Sequence, residues 1–326
     1  MTLEVTTEHW PYRTPFRIAR GVESALGVLV VTLRDAAGHA GRGEAAGVDY
    51  AGESLESMQR QLADLGDPLE RGLTRAALQD LLPPGGARNA LDCALWDLEA
   101  KASGVSVWKR LGLDPAQPVT TCLTLGIDTP EATARAARAA QSMPVLKVKV
   151  DAERHLETVR IVRAACPRAA LIVDGNQSWS LGLLNRLAPD LHALGVVLLE
   201  QPLPQGPDAQ LDDYHGPIPL AADESVSDAA SLAGLSRAYR YVNIKLDKTG
   251  GLTGALTLER AARALGYGIM VGCMAGTSLA MAPGMVIAQG AQFVDLDGPL
   301  LHVNDRVPGI AYDNGRMQVP PPELWG

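Results

Sequence analysis

From about residue 118 onward, short apolar runs alternate with stretches of helical pattern. Parallel strands that are buried on both faces give such runs, and helices usually connect them. Eight units of this kind predict an α/β fold of the (β/α)8-barrel type. The predicted strands are Val119–Leu125, Val145–Val150, Leu171–Asp174, Val196–Glu200, Pro219–Asp223, Tyr241–Lys245, Gly268–Val271 and Phe293–Asp295.

The first 110 residues have a different pattern. Leu26–Leu33 and His39–Ala45 alternate in polarity around the turn DAAG, which predicts a β-hairpin. The segment ARNALDCALWDLEAKASG has helical spacing, and Gly104 should end that helix. We therefore predict three parts: an α+β capping domain over residues 1–112, a barrel over 113–299, and a segment over 300–326 that returns to the capping domain.

Composition excludes several classes of function. A net charge of -8 and a pI near 5.3 argue against nucleic acid as a partner. The four cysteines are scattered, which indicates neither a zinc site nor a disulfide framework and favours the cytoplasm. The N-terminal residues lack the pattern of a secretion signal. The charge-free stretch from Gly268 to Val294 is interrupted by glycines and Pro283, so a buried strand and helix are favoured over a membrane span.

Six of the predicted strands have an ionisable residue at, or directly before, their last position. The positions of these residues are separated by 25, 26, 23, 22 and 50 residues, and the last gap equals two units of 25. The carboxyl ends of barrel strands meet at one rim, where active sites of this fold are built. The spacing thus predicts six charged side chains at that rim, namely Lys149, Asp174, Glu200, Asp223, Lys245 and Asp295.

Three of these residues are acids on neighbouring strands. Asp174, Glu200 and Asp223 would repel one another at one rim unless a cation joined them. Oxygen ligands without a histidine or cysteine partner favour Mg²⁺, with Mn²⁺ second. Helix N-caps are an alternative explanation, although glutamate is a poor N-cap and the three acids keep one register. Asn176 is either a supporting polar group of this site or a turn residue.

Two lysines should face each other across the barrel mouth. Lys149 and Lys245 lie four strands apart in a ring of eight, with the acids between them. Alternatively, lysine can mark an edge strand whose polar face contacts solvent. A nearby cation and burial can lower a lysine pKa from about 10.4 toward neutrality. One amine could then take a proton from a carbon, and the other could return one to the opposite face. The metal would hold the substrate carboxylate and stabilise an enediolate.

This arrangement predicts 1,1-proton transfer, meaning racemisation or epimerisation. Lys147 shares a face of its strand with Lys149. We expect Lys147 to stay charged, to depress the pKa of Lys149 and to help bind the substrate carboxylate.

The sequence resembles the enolase superfamily, specifically its muconate-lactonising subgroup. The matching segments are LKVKVD, LIVDGNQSW, LLEQPLP, LAADES and VNIKLDKTGG, in the family's order and spacing. The resemblance covers nearly the whole chain, including the capping domain. It implies that Lys149 and Lys245 are the acid/base pair and that Asp174, Glu200 and Asp223 bind the metal, an arrangement general to enolase-type sites.

Within the subgroup, RNALDCALWDL, NIKLDKTGGLT, GCMAGTS and DLDGPLL resemble the dipeptide epimerases. This resemblance implies that Asp295 and Asp297 bind the α-ammonium group of a dipeptide and that Thr124 lies near its carboxylate. It also implies that Arg20 pairs with a glutamate side chain and that Tyr50 belongs to a lid. The implied activity is Mg²⁺-dependent epimerisation of the C-terminal residue of L-Ala-D/L-Glu in the recycling of cell-wall peptides.

Other functions remain as alternatives. An epimerase of different dipeptides would use the same residues. An N-acylamino acid racemase, o-succinylbenzoate synthase or cycloisomerase would not, because those substrates lack a free ammonium group. Arg20 could instead be a solubilising residue, Thr124 a plain strand former and the Asp-x-Asp pair a solvated loop. A non-catalytic barrel protein should lack a ligand or a lysine, yet all five are present. The expected partner is a small dipeptide, and the sequence leaves a homo-oligomer open.

Overall fold

The computed structural model describes residues 1–18, 21–66, 72–151, 153–206 and 208–326. Its strands are β1 (Thr2–Ile18), β2 (Gly21–Arg34), β3 (Ala40–Ala45), β4 (Val119–Thr120), β5 (Leu123–Leu125), β6 (Val145–Lys149), β7 (Ala170–Asp174), β8 (Val196–Glu200), β9 (Leu220–Ala222), β10 (Tyr239–Lys245), β11 (Gly268–Gly272), β12 (Phe293–Val294), β13 (Tyr312–Asp313) and β14 (Arg316–Met317).

The α-helices of the described chain are α1 (Leu55–Ala63), α2 (Arg75–Leu81), α3 (Gly86–Ser103), α4 (Val107–Arg110), α5 (Pro130–Ala139), α6 (His155–Ala165), α7 (Leu181–Ala193), α8 (Leu246–Thr249), α9 (Leu252–Ala264), α10 (Ser278–Ala288) and α11 (Gly298–Leu301). Short 3-10 helices cover Asp49–Ala51, Asp208–Asp213 and Ser231–Gly234.

The parallel sheet runs from β5 to β12 in chain order, and each strand pairs with the next. The Cys122 N–H donates to the Val294 carbonyl oxygen at 2.9 Å, which joins the two ends of the sheet. The pairing sets Lys149 opposite Asp174 and Asp174 opposite Glu200. The predicted (β/α)8-type barrel is confirmed, and the carboxyl ends of its strands lie in register.

The first predicted strand is divided in two. Val119 and Thr120 pair with Met317 and Arg316 in a small antiparallel sheet with β13, so only β5 belongs to the barrel. The prediction of one strand was wrong here because the apolar pattern does not show which partner each half will find.

The N-terminal domain is an antiparallel sheet, in the order β1-β2-β3, packed against α3. The predicted hairpin is present, and the Asp35 carboxylate accepts from the backbone N–H groups of Ala37 and His39 at 2.9 Å each. The predicted helix is present as well, and Gly104 ends it with a φ of 66°, a left-handed conformation that glycine adopts easily.

Glycines let α3 approach the sheet closely. A Cβ atom on Gly43 would lie 2.0 Å from the Ala90 carbonyl oxygen, and one on Gly41 would lie 2.2 Å from that of Ala94. No side chain fits at such distances. The two glycines of β3 therefore fix the spacing between sheet and helix.

The helix α3 also joins the capping domain to the barrel. Arg88 donates to the Thr249 carbonyl oxygen at 2.9 Å, and Asp92 accepts from the Thr253 N–H at 2.9 Å. At the end of the chain, the Gly326 N–H donates to Asp97 at 2.8 Å. These bonds hold the capping domain over one end of the barrel. Within the described ranges, no helix combines the length and apolar character needed to cross a membrane.

Candidate active site

A cavity of about 320 Å³ lies where the capping domain meets the carboxyl ends of the barrel strands. The barrel contributes Lys149, Asp223, Lys245 and Asp295 from the strand-end pattern, whereas Asp174 and Glu200 do not line the cavity. The capping domain contributes a mostly apolar wall. The polar lining from the barrel consists of Thr124, Lys147, Lys149, Asn176, Asp223, Glu224, Lys245, Asp295 and Asp297. The capping-domain wall includes Tyr12, Glu23, Leu26, Gly27, Asp49, Tyr50 and Leu55.

Lys149 is held at the rim by two oxygen acceptors. Its ammonium group donates to Asp174 Oδ2 at 3.0 Å and to Asn176 Oδ1 at 2.8 Å. The Asn176 backbone N–H in turn donates to Asp174 Oδ1 at 2.9 Å. Asn176 is a turn residue, with a φ of 41°, and its side chain also contacts Lys149. Its supporting role in the metal site stays a prediction.

Lys245 lies four strands away in the ring and enters the same cavity. Its ammonium group contacts Asp223 Oδ2 at 2.7 Å, and Lys248 contacts Asp223 Oδ1 at 2.6 Å. Burial lowers the pKa of Lys245, but the negative charges of Asp223 and Glu200 outweigh burial and raise it above its usual range. The lowered lysine pKa that the sequence predicts thus requires a cation that neutralises these acids.

Lys147 lies at the centre of the acidic cluster. Its ammonium group is within 2.8 Å of Glu200 Oε2, 2.8 Å of Asp295 Oδ2 and 3.1 Å of Asp174 Oδ2. Burial lowers the pKa of Lys147, while Asp295 and the other acids raise it well above its usual range. This raised pKa favours the charged form of Lys147, which is the form the sequence led us to expect. Lys147 also joins the acids near the predicted metal site to Asp295.

The three predicted metal ligands are buried at neighbouring strand ends. Burial and then the charge of Asp174 raise the pKa of Glu200 to about 8. In the described part of the chain, however, no three acidic, histidine or cysteine side chains are gathered as a metal cage. Lysines lie between the acids, so Asp223 must release Lys245 before it can join the other two. The donor set of three buried carboxylates fits a hard divalent cation.

Asp295 and Asp297 follow β12 and face the same cavity. Cys122 and Thr124 donate to Asp295 Oδ1 at 3.1 and 3.4 Å, in addition to the ion pair of Asp295 with Lys147. The Thr124 backbone N–H donates to Asp297 Oδ2 at 2.6 Å. Burial, and then the charge of Asp295, raise the pKa of Asp297 to about 7. The negative charge of Asp297 is therefore less well balanced by neighbouring groups than that of Asp295.

The two capping-domain predictions have different outcomes. Tyr50 lines the cavity from the 3-10 helix Asp49–Ala51. The chain is fixed nearby, because the Gly47 N–H donates to Asp247 Oδ1 at 2.9 Å and the Val48 N–H donates to Glu53 Oε2 at 2.8 Å. Arg20 lies outside the described residues. Its pairing with an acidic side chain stays a prediction.

Three buried residues of the site were not anticipated from the sequence. Lys248 holds Asp223, the Asn243 side chain donates to Glu200 Oε1 at 2.8 Å, and Gln201 accepts from the Asp223 N–H at 2.9 Å. Each lies next to, or a few residues from, a strand-end acid or lysine. Only an apolar run interrupted by a polar residue, such as Asn243 within VNIK, could have indicated them.

Comparison with known proteins supports the resemblance to the enolase superfamily. Residues 1–112 match the model of the mandelate racemase / muconate lactonizing enzyme N-terminal domain, and residues 131–323 match the enolase C-terminal domain-like model. The chain is 42% identical over 320 residues to L-Ala-D/L-Glu epimerase of Escherichia coli, covering 98% of this chain and 99% of that protein. It is 44% identical over 290 residues to N-acetyl-D-glutamate racemase of a Pseudoalteromonas species, covering 87% and 91%.

Solved structures extend this likeness. An enolase family member from Agrobacterium tumefaciens, with bound sodium and L-Ala-L-Glu, superposes with a TM-score of 0.96 at 43% identity and 99% coverage of each chain. A dipeptide epimerase from Methylococcus capsulatus, complexed with Mg and L-Arg-D-Lys, gives a TM-score of 0.89 at 33% identity, covering 99% of this chain and 98% of that one. The predicted enzyme class, a racemase or epimerase among the isomerases, is confirmed by these relatives.

The matched models cover almost the whole chain, and the barrel and the N-terminal antiparallel-sheet domain agree with them. The protein therefore belongs to the enolase superfamily and carries both domains of its mandelate racemase / muconate lactonizing enzyme family.

Proposed function

We propose that this protein is an Mg²⁺-dependent epimerase of L-Ala-D/L-Glu that inverts the C-terminal residue by 1,1-proton transfer. The observation that carries the proposal is the placement of Lys149 and Lys245 in one cavity, from strands four apart in a ring of eight. Amines on opposite sides of a bound carbon can serve both faces of it.

The lysines would divide the proton transfer between them. One neutral amine removes the α-proton, and the opposite ammonium group returns a proton to the other face. Asn176 orients Lys149 through the 2.8 Å bond. Because either isomer can bind, the two lysines exchange roles with the direction of the reaction.

Asp174, Glu200 and Asp223 would hold the metal. When bound, Mg²⁺ supplies positive charge that attracts the substrate carboxylate and stabilises negative charge developing next to the α-carbon. With Asp223 engaged as a metal ligand, Lys245 would lose the contact that keeps it charged. Mn²⁺ should substitute, because its ligand preference is similar.

The far side of the cavity would recognise the N-terminal residue. Asp297 accepts a hydrogen bond from the Thr124 backbone N–H, and it lines the cavity together with Asp295. An α-ammonium group placed there would be buried against a carboxylate, and such charge-assisted bonds are strong. Arg20 would pair with the glutamyl carboxylate, and Tyr50 would close the cavity from the capping domain.

A second candidate is racemisation of an N-acylated glutamate. Its support is the 44% identity to N-acetyl-D-glutamate racemase, together with the pKa of Asp297 near 7. A protonated Asp297 could donate to an acyl oxygen, whereas an ionised one favours an ammonium group. The substrates of the two candidate reactions share the glutamyl group and differ in what is attached to its α-nitrogen.

Proton exchange distinguishes the candidates. Purified protein with Mg²⁺ in D₂O should incorporate deuterium at the glutamyl α-carbon of L-Ala-L-Glu and L-Ala-D-Glu and interconvert them, as followed by NMR and chiral chromatography. N-acetyl-D-glutamate, assayed in parallel, should react at least about 100-fold more slowly, since it lacks the ammonium group. The opposite ranking would replace the first candidate with the second, and exchange with neither would overturn both.

A physiological role follows from the substrate. A D-glutamyl residue is not produced by degradation of ribosomally made proteins, so breakdown of cell-wall peptides is the reaction class that would supply it. We place the protein in the recycling of these peptides in the cytoplasm.

A further inference from the structure

Glu224 is a buried acid whose position none of the roles above explains. It follows Asp223 directly, its exposed fraction is 4%, and it lines the cavity. Its Oε2 atom is buried and has no hydrogen-bond partner in the described part of the protein. Leaving a carboxylate in this state is costly, so the arrangement indicates a ligand.

The backbone around Glu224 is fixed from both sides. Gln201 Oε1 accepts from the Asp223 N–H at 2.9 Å and from the Ser225 N–H at 3.2 Å. The Gln205 side chain donates to the Glu224 carbonyl oxygen. A carboxylate on so constrained a segment cannot turn away to solvent easily, so it keeps its place at the cavity.

The nearby acids differ from Glu224 in their partners. Asp174 contacts Lys149, Glu200 contacts Lys147, and Asp223 contacts Lys245. No ion pair of this kind is found for Glu224 among the described residues. Glu224 nevertheless lines the same cavity as Asp223 and Lys245.

We infer that Glu224 is a fourth acidic residue of the divalent-cation site, supplying negative charge and a hydrogen-bond acceptor in addition to Asp174, Glu200 and Asp223. The inference rests on the proposed function, since it assumes that those three acids hold the cation. Mg²⁺ in proteins usually keeps several of its waters, which are donors that an acceptor close to the ligands can use. Groups that support metal ligands in this way commonly change metal affinity by 10- to 100-fold.

The test is Mg²⁺ binding to the metal-free protein by isothermal titration calorimetry, without substrate. Glu224→Gln keeps the shape of the side chain and removes its charge, and we expect the Kd to rise about 10-fold. Glu23→Gln is the matched control, because it makes the same change on the capping-domain side of the cavity, and it should leave the Kd within twofold.

Thermal unfolding gives a second measurement. Without Mg²⁺, Glu224→Gln should melt no lower than the wild type, because it removes a buried unpaired charge, while its stabilisation by added Mg²⁺ should shrink.

Asp223→Asn separates failure of this inference from failure of the proposed metal site. If Asp223→Asn weakens Mg²⁺ binding and Glu224→Gln does not, Glu224 has no part in the site and the inference is overturned. If neither variant changes the Kd, the metal site assigned to these acids is wrong as well. A metal-free Glu224→Gln protein that melts well below the wild type would show a structural role instead and would overturn the inference.

Discussion

Lys245→Met should abolish epimerisation while leaving α-proton exchange in one substrate isomer. With one amine removed, the remaining Lys149 can still take and return the proton on its own face, but nothing delivers a proton to the opposite face. We expect interconversion of L-Ala-L-Glu and L-Ala-D-Glu to fall by about 1,000-fold or more, as for loss of a general acid or base. Lys149→Met should give the same loss with exchange confined to the other isomer.

Deuterium incorporation in each isomer, measured separately by mass spectrometry, checks this result. Lys109→Met, a change at an exposed lysine of α4, is the control and should behave as the wild type. Mg²⁺ affinity of the two lysine variants shows whether the metal site survives the substitution. Loss of exchange in both isomers for each variant, with metal binding intact, would contradict a division of labour between two faces.

Asp297→Asn should lower kcat/KM for the dipeptide by about 30- to 150-fold, equivalent to about 2–3 kcal/mol. The substrate ammonium group would lose its carboxylate partner in a buried setting. The same variant should leave turnover of an N-acetylated glutamate nearly unchanged. Asp295 is a less informative target, because it already forms an ion pair with Lys147 at 2.8 Å and its removal would also disturb the acids that contact Lys147.

The pH dependence of dipeptide affinity should also report the contact between Asp297 and the substrate ammonium group. The pKa of Asp297 is raised to about 7 in the free protein, and an ammonium ligand binds the ionised form. Affinity should therefore increase as pH rises through about 7. It should decrease again above about 8, where the dipeptide's own α-amino group loses its proton. Asp297→Asn should remove the increase near pH 7 and keep the decrease near 8, as measured by inhibition with a non-reacting dipeptide. An unchanged profile in the variant would show that Asp297 does not contact the ammonium group.

Much of this fold could be predicted because its sequence repeats one simple pattern. Strands buried on both faces give apolar runs, and the carboxyl ends of parallel strands share a rim, so Lys149, Asp174, Glu200, Asp223 and Lys245 could be placed together from spacing alone. The hairpin and the helix ending at Gly104 follow from local turn and capping chemistry.

Features that depend on tertiary contacts were not predictable in the same way. Lys248 reaches Asp223 only because α8 begins directly after β10, and the sequence does not show that this lysine turns inward. The pairing of Val119 and Thr120 with the C-terminal hairpin depends on residues almost 200 positions away. The charge state of Lys245 depends on the partner of Asp223, which the spacing of residues cannot show.

The structure of the Mg²⁺ complex with a bound dipeptide, at a resolution that positions the glutamyl α-carbon, tests the central claim most directly. We predict that the Nζ atoms of Lys149 and Lys245 lie on opposite sides of that carbon, with Asp174, Glu200 and Asp223 bound to one cation. Both nitrogens on the same side, or three acids without a shared ion, would contradict the account.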